Sequence, residues 1–348
     1  MIRAVDNEAN TKWTVDLGDD SMGSHSAGYS ITQGDDGVLY AGMGLWQHEG
    51  LFQNHQVPAV VALDPVVGTV LWTTLLGEGQ SGHGGARWNI NYPKKFLCFF
   101  FRSCMMDNAD VVCAGYVGNS ESGFVFVADE ATPAVWRLSA SGELITETFL
   151  EVEGMGQVAK IRKDISSGFV VCSTSWGVIN GRDEQVAGLV KLTDNFEVEW
   201  NKVFLQILTL IVMTKWLCKG FGVSDGASQV FDMVVDYEGN YLLGGHTTGG
   251  EGVVNWDYLA IKVNSDGEQV WRRTYGQPRG FDPRWIHDEM YSVGLDGDGN
   301  YILLGGSGDE YPYSEEGTGK KAPHTVLSNN SVSKIIVSIF RRVVWLDE

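Results

Sequence analysis

The densest group of acid- and base-capable side chains in the sequence is Trp285-Ile286-His287-Asp288-Glu289. Paired carboxylates beside an imidazole have the means for general acid/base work or for holding a polar ligand. The stretches at the equivalent place before Tyr29 (Ser24-His25-Ser26) and before Trp88 (His83-Gly84-Gly85) carry a histidine without the acids. A polar loop with an incidental histidine is therefore the competing reading. Trp46-Gln47-His48-Glu49, followed by Phe52 and His55, lies in a long connection, where such residues suit contact with a partner; Trp46 and His48 join the candidate ligand-binding residues. Asp296-Gly297-Asp298-Gly299-Asn300 alternates carboxylates as a calcium loop does. Such a loop needs glycine at its sixth position and glutamate at its twelfth; Tyr301 and Ser307 stand there, so the segment reads as a hairpin turn. No Gly-x-Ser-x-Gly, His-Glu-x-x-His or phosphate-cradling glycine loop occurs, which leaves covalent and metal catalysis without a carrier. No cofactor and no catalytic residue are assigned.

These residues need elements to hold them, and the composition allows a large core. The chain has 348 residues, 43% apolar and 11% aromatic, which argues against disorder. Its 25 Lys+Arg against 44 Asp+Glu give a net charge of −19; nucleic-acid affinity depends on clustered basic residues, so a nucleic-acid partner is not expected. The five cysteines are odd in number and contain no Cys-x-x-Cys, which speaks against a disulfide framework or a zinc site and for buried thiols. The opening residues turn acidic before a signal-peptide apolar stretch begins. The runs Phe96 to Phe101 and Leu205 to Met213 fall well short of the ~20 residues of a membrane span. The compartment stays unassigned.

The elements repeat. Asp236-Tyr237-Glu238-Gly239-Asn240-Tyr241-Leu242-Leu243-Gly244-Gly245 recurs at Asp296-Gly297-Asp298-Gly299-Asn300-Tyr301-Ile302-Leu303-Leu304-Gly305-Gly306, with weaker copies at Asp36 to Gly42, Val111 to Gly115 and Gly168 to Thr174. After the first four copies comes an alternating stretch that leads to a bulky apolar residue, as in Val61-Ala62-Leu63-Asp64 to Trp72 and Ile261-Lys262-Val263 to Trp271. Each unit reads as four short strands joined by Gly-containing turns: an aromatic-led strand (Phe231 to Asp236), the Tyr-Leu-Leu-Gly-Gly strand, an alternating strand (Tyr258 to Asn264) and a Trp-bearing strand (Gln269 to Tyr275). Repeated antiparallel four-strand units are blades of a β-propeller. The expected fold is all-β, a propeller of about five four-stranded blades. Arg3 to Trp13 would supply the outer strands, and Trp285 to Ser307 the inner strands, of one composite closing blade. The regularly spaced aromatics (Trp13, Trp72, Trp200, Trp271; Tyr29, Trp88, Phe231, Tyr291) read as packing between blades.

Two segments break the period: one near residues 95–106, the other near 205–220. Both are apolar, poor in acid, and together hold three of the five cysteines. They are read as foreign insertions of translated intron or mis-spliced sequence, and the tail 308–348 as lying outside the propeller of 1–307. The competing reading makes the two insertions genuine loops for partner contact or membrane-surface attachment.

The stretch Gly239 to Gly245, Tyr258 to Trp271 and Thr274-Tyr275-Gly276 resembles the roughly sixty-residue units called delta-60 repeats. Val61-Ala62-Leu63-Asp64 with Gly68-Thr69-Val70-Leu71-Trp72 is similar to the related repeat of quinoprotein, pyrroloquinoline-quinone-type, propellers. The resemblance spans most of residues 1–307 and implies a propeller. What it implies about activity is thin, because such repeats serve many functions. The expected role is a non-catalytic scaffold that binds a protein or small ligand, as a monomer; the alternative is a quinoprotein-like dehydrogenase or other propeller enzyme. The adjacent cysteine pair of many quinoprotein dehydrogenases is missing.

Overall fold

The computed structural model describes residues 1–17, 27–48, 54–76, 96–120, 130–152, 155–179, 182–204, 228–248, 256–275, 286–309, 321–328, 334–339 and 342–347. The chain is all-β and of β-propeller type, built from successive antiparallel sheets whose strands mostly follow chain order. It divides into two compact units, Met1–Ile161 and Arg162–Glu348.

The first unit opens with a two-stranded ribbon, β1 (Ile2–Val5) and β2 (Thr11–Val15). Two four-stranded sheets follow. One is β3 (Ala27–Gln33), β4 (Leu39–His48), β5 (Asn54–Leu63) and β6 (Val70–Leu75); the other is β7 (Phe96–Asp107), β8 (Asp110–Ser120), β9 (Glu130–Leu138) and β10 (Leu144–Phe149). The boundary between the units falls within β11 (Gln157–Lys163), which heads a sheet with β12 (Phe169–Ile179), β13 (Arg182–Leu192) and β14 (Val198–Phe204). The second unit continues with β15 (Ser228–Val235), β16 (Tyr241–Thr247), β17 (Asp257–Val263) and β18 (Gln269–Tyr275), and then a five-stranded sheet. That last sheet is β19 (Ile286–Leu295), β20 (Tyr301–Asp309), β21 (Lys321–Ser328), β22 (Lys334–Ile339) and β23 (Arg342–Asp347).

The expected hairpins form where the glycines permit them. Gly239 adopts φ +82° and donates to the carbonyl of Asp236 (3.0 Å), while the Asp236 carboxylate accepts from the backbone of Glu238 and Asn240. The Asp296 carboxylate does the same for Asp298 and Asn300 (2.9 and 2.8 Å). The alternating acids of 296–300 thus build a turn.

Both faces of the middle strands are covered: every residue of β16 and β17 is buried, whereas β18 is half exposed. That pattern belongs to a sheet with neighbours packed on each side and its last strand at the rim. The neighbours are fastened in two repeated ways. At the rim, the tryptophan of one sheet covers the turn glycine of the next. Trp13 lies on Gly68 and donates to the Pro65 carbonyl (3.0 Å); Trp72 lies on Gly142 and donates to the Ala140 carbonyl (3.0 Å); Trp200 and Lys202 cover Gly267. Deeper in, the tyrosine that starts a second strand reaches back to the turn aspartate of the preceding sheet. Tyr241 donates to Asp164 and Tyr301 to Asp236, each at 2.5 Å, and each carboxylate also pairs with a lysine of its own sheet, Lys191 (2.8 Å) and Lys262 (3.3 Å). Packing between sheets is therefore the role of Trp13, Trp72 and Trp200, as their spacing suggested.

Three features depart from the expectations. The aromatic-led strands carry a one-residue register shift at Tyr29, Phe231 and Tyr291; in the second full sheet the shift falls at Arg102, inside the segment set apart by its composition, and Trp88 lies outside the described residues. Residues 96–107 are the first strand of their sheet, and Cys104 donates from its backbone to Ser30 of the preceding sheet (2.9 Å), as Val293 does to Asp232 (3.1 Å). Next, Cys104 and Cys113 face each other across β7 and β8 and are joined as a disulfide, which corrects the reading of all cysteines as thiols; Cys172 is buried. Parity of the total says nothing about a single cross-strand pair whose Cα atoms the ladder already holds 4.1 Å apart. Finally, the third place in the last sheet belongs to β21, where the composite arrangement required β1. Pro323 stands five residues before the partner of Tyr301, the register that Pro58 holds in β5 and Pro133 in β9. β21 is also tethered to β20 through residues 310–320 alone, so it reaches the open edge at small entropic cost. The segment 205–220 lies outside the described residues.

Candidate functional site

Connections at the two ends of the sheets differ. At one end the strands are joined by tight turns, such as 164–168, 236–240, 264–268 and 296–300; at the other they are joined by 180–181 and by the longer stretches 205–227, 248–256 and 276–285. Long connections gather at one end of a rigid sheet where binding residues are usually carried.

In the second unit a polar and aromatic cluster sits at that end. A β-bulge bends its strand and re-aims the extra side chain, and the bulges of β15 and β19 bring Phe231 and Tyr291 together at 5.7 Å, ring edge to ring face. The His246 ring, at the end of β16, lies between Phe231 (4.7 Å) and Trp256 (4.4 Å). Its Nε2 meets Gln229 Oε1 at 2.9 Å, and Gln229 Nε2 donates to Gln185 Oε1 of β13 at 2.7 Å. Two successive sheets thus contribute to one relay. On β19, Tyr291 donates its hydroxyl to the Glu289 carboxylate, and the Asp288 backbone donates to the Trp256 carbonyl (2.9 Å). Asp288 and Glu289 are buried, while Tyr291 keeps 49% of its surface exposed. Burial together with the charges of Asp288 and Glu289 pushes the Tyr258 hydroxyl well above its usual range, so it stays protonated beside the acids.

The opposite face of the β15–β18 sheet holds a different group, because alternate residues point to opposite sides. There Arg272 donates to Ser228 Oγ (3.0 Å) and Thr247 Oγ1 (3.3 Å), its guanidinium pushed down to about 10 by burial.

Of the sequence-predicted residues, Asp288 and Glu289 belong to this cluster. His287 is on β19 opposite Gly308, and Trp285 lies outside the described residues. Trp46 and His48 are on β4, opposite Gln56 and Asn54 in the first unit. His246, Gln229, Gln185 and Trp256 were missed. The available signal was His246 directly after the Gly244-Gly245 doublet, at the start of a long connection.

No family model matches the chain, and no curated protein matches it. Solved structures it is similar to include an exo-1,5-α-L-arabinanase from a bovine ruminal metagenomic library, 11% identical, covering 85% of this chain and 91% of that one with a TM-score of 0.38. A mannose phosphorylase from Leishmania mexicana, bound to phosphate, is 10% identical over 88% of this chain and 84% of that one, with a TM-score of 0.35. A glucose dehydrogenase is 11% identical over 64% and 85%, with a TM-score of 0.31. Likeness of that degree carries no argument about activity. No helix among the described residues is long and apolar enough to cross a membrane.

Proposed function

We propose that the protein is a non-catalytic β-propeller scaffold that binds a ligand at the long-connection end of its second unit, over the surface formed by Phe231, Trp256 and Tyr291 around the buried His246 ring. The observation that carries this reading is the fixed His246 ring, clasped by two aromatic rings and by an amide relay from two sheets. A binding surface held in one geometry loses little freedom when a ligand arrives. Trp285 and His287 adjoin it in sequence and remain candidate ligand-binding residues; Trp46 and His48 remain candidates for a separate contact. The test is a small-molecule and peptide screen read by thermal unfolding, repeated on Tyr291→Ala. Ligands that stabilise the parent chain and not the variant support the reading; equal stabilisation of both contradicts it.

The second reading is an enzyme. Two adjacent buried carboxylates, Asp288 and Glu289, support it, because carboxyl groups held in one place are among the groups that carry general acid–base work. Adding pyrroloquinoline quinone with calcium and recording the absorption spectrum separates the quinoprotein form of this reading from the scaffold; an unchanged spectrum favours the scaffold.

A further inference from the structure

Resting on the proposal that ligands bind at the Phe231–Tyr291 surface, the side chains there also bear on the kind of ligand. Tyr291, at the bulge of β19, is half exposed, and Phe231, at the bulge of β15, and Trp256 are part-buried. The Glu289 carboxylate accepts from the Tyr291 hydroxyl, and Asp288 is anchored through its backbone to Trp256. Aromatic faces carry negative potential, and a carboxylate behind them adds to it.

Among the described residues, three basic side chains of the second unit are directed elsewhere. Arg272 belongs to the other face of the β15–β18 sheet. Lys262 shares the His246 face but is paired with Asp236 at the tight-turn end. Arg162 is directed to Asp232 at 3.8 Å. The chain as a whole carries −19, a field that raises the local concentration of cations and repels anions.

We propose that the surface of Phe231, Trp256, Tyr291 and Glu289 binds an organic cation, the alkylated ammonium group of a small molecule. The ammonium lies against the exposed Tyr291 ring, with Glu289 as counter-charge. His246, held from behind by Gln229, is a positioning residue that sets the spacing of Phe231 and Trp256.

The experiment is calorimetric titration of the full chain with tetramethylammonium chloride against sodium chloride of equal ionic strength. Saturable binding is expected, at least tenfold weaker in Tyr291→Ala and in Glu289→Gln, and unchanged in Tyr237→Ala, a site 72% exposed at the tight-turn end. Thermal unfolding checks each variant, and should Glu289→Gln not fold, Tyr291→Ala decides. No saturable binding beyond the sodium control, or binding indifferent to Tyr291, overturns the proposal. An uncharged isostere of the same shape, neopentyl alcohol, is titrated in parallel. If it binds equally well and depends on Tyr291, the cation is refuted and the binding surface stands. If neither probe binds and the ligand screen is also indifferent to Tyr291→Ala, both fall.

Discussion

Replacing Tyr301 by Phe removes one oxygen from the fastening between the last two sheets of the second unit. In the parent chain that hydroxyl donates to Asp236 Oδ2 at 2.5 Å, with Lys262 3.3 Å from the same oxygen and Asn240 on the carboxylate as well. A hydrogen bond to a charged group is worth about 1.5–3 kcal/mol. For a cooperative unit of this size each kcal/mol moves Tm by about 2–4 °C, so a loss near 2 kcal/mol lowers Tm by about 4–8 °C. Asp236→Asn costs more, about 3–5 kcal/mol, because it leaves the buried Lys262 ammonium without its counter-charge. The assay is urea and thermal unfolding of both single variants and the double variant, which yields the coupling between the pair.

Acid adds a second readout. Burial acts to raise the Asp236 pKa, but the hydrogen bonds from Tyr301 and Asn240 outweigh it and hold the carboxyl below its ordinary value. Asp164 is lowered too: burial is outweighed by hydrogen bonds from Lys191, Ser166 and Tyr241. The unfolded chain, with aspartate near about 3.9, then binds protons before the folded chain does. The stabilisation is therefore complete above that value and is lost as pH falls toward the folded pKa. Tyr301→Phe should flatten this acid loss. A Tm change under about 1 °C with coupling below about 0.5 kcal/mol, beneath the scatter expected of independent sites, refutes the reasoning.

Three other outcomes follow from the geometry. Gly68→Ala puts a Cβ 2.5 Å from the Trp13 ring at φ +75° and should destabilise by at least about 1–2 kcal/mol, whereas Gly297→Ala, with open space around it, should stay within about 0.5 kcal/mol in the same denaturant titration. Peptide mapping without reductant should recover residues 104 and 113 as one linked species, and reduction should lower stability by somewhat under about 3 kcal/mol for so short a loop; alkylation of both thiols in unreduced, denatured protein would count against the pair. Thr74→Val, which loses the hydroxyl donated to the Gly142 carbonyl at 2.5 Å, should cost about 1 kcal/mol and leave ligand binding at the second unit unchanged.

The fold was legible because its fastenings are local in sequence. Tyr241 and Tyr301, each following an Asp-x-x-Gly-Asn turn, sit at one register in successive sheets and give the period directly. The rim tryptophans mark the last strands for the same reason. The bulge position in the second full sheet escaped because Arg102 stands where the other three bulges have an aromatic, and Trp88 offered a false anchor. β21 escaped because its glycine and tryptophan cues are absent, though Pro323 repeats the register of Pro58 and Pro133. The site was half visible. Asp288 and Glu289 stood out as adjacent acids, but His246 gains its setting from Gln185, Trp256 and Phe231, residues that only the stacking of sheets brings together.

Hydroxyl-radical footprinting of the tyrosines tests the stacked-sheet account and the open binding surface together. Tyr291 and Tyr237, 49% and 72% exposed, should be oxidised rapidly, while Tyr40, Tyr116, Tyr241, Tyr258 and Tyr301, each 2% exposed or less, should be protected until the chain unfolds. Rapid oxidation of Tyr241 or Tyr301, or protection of Tyr291 in the free protein, would contradict it.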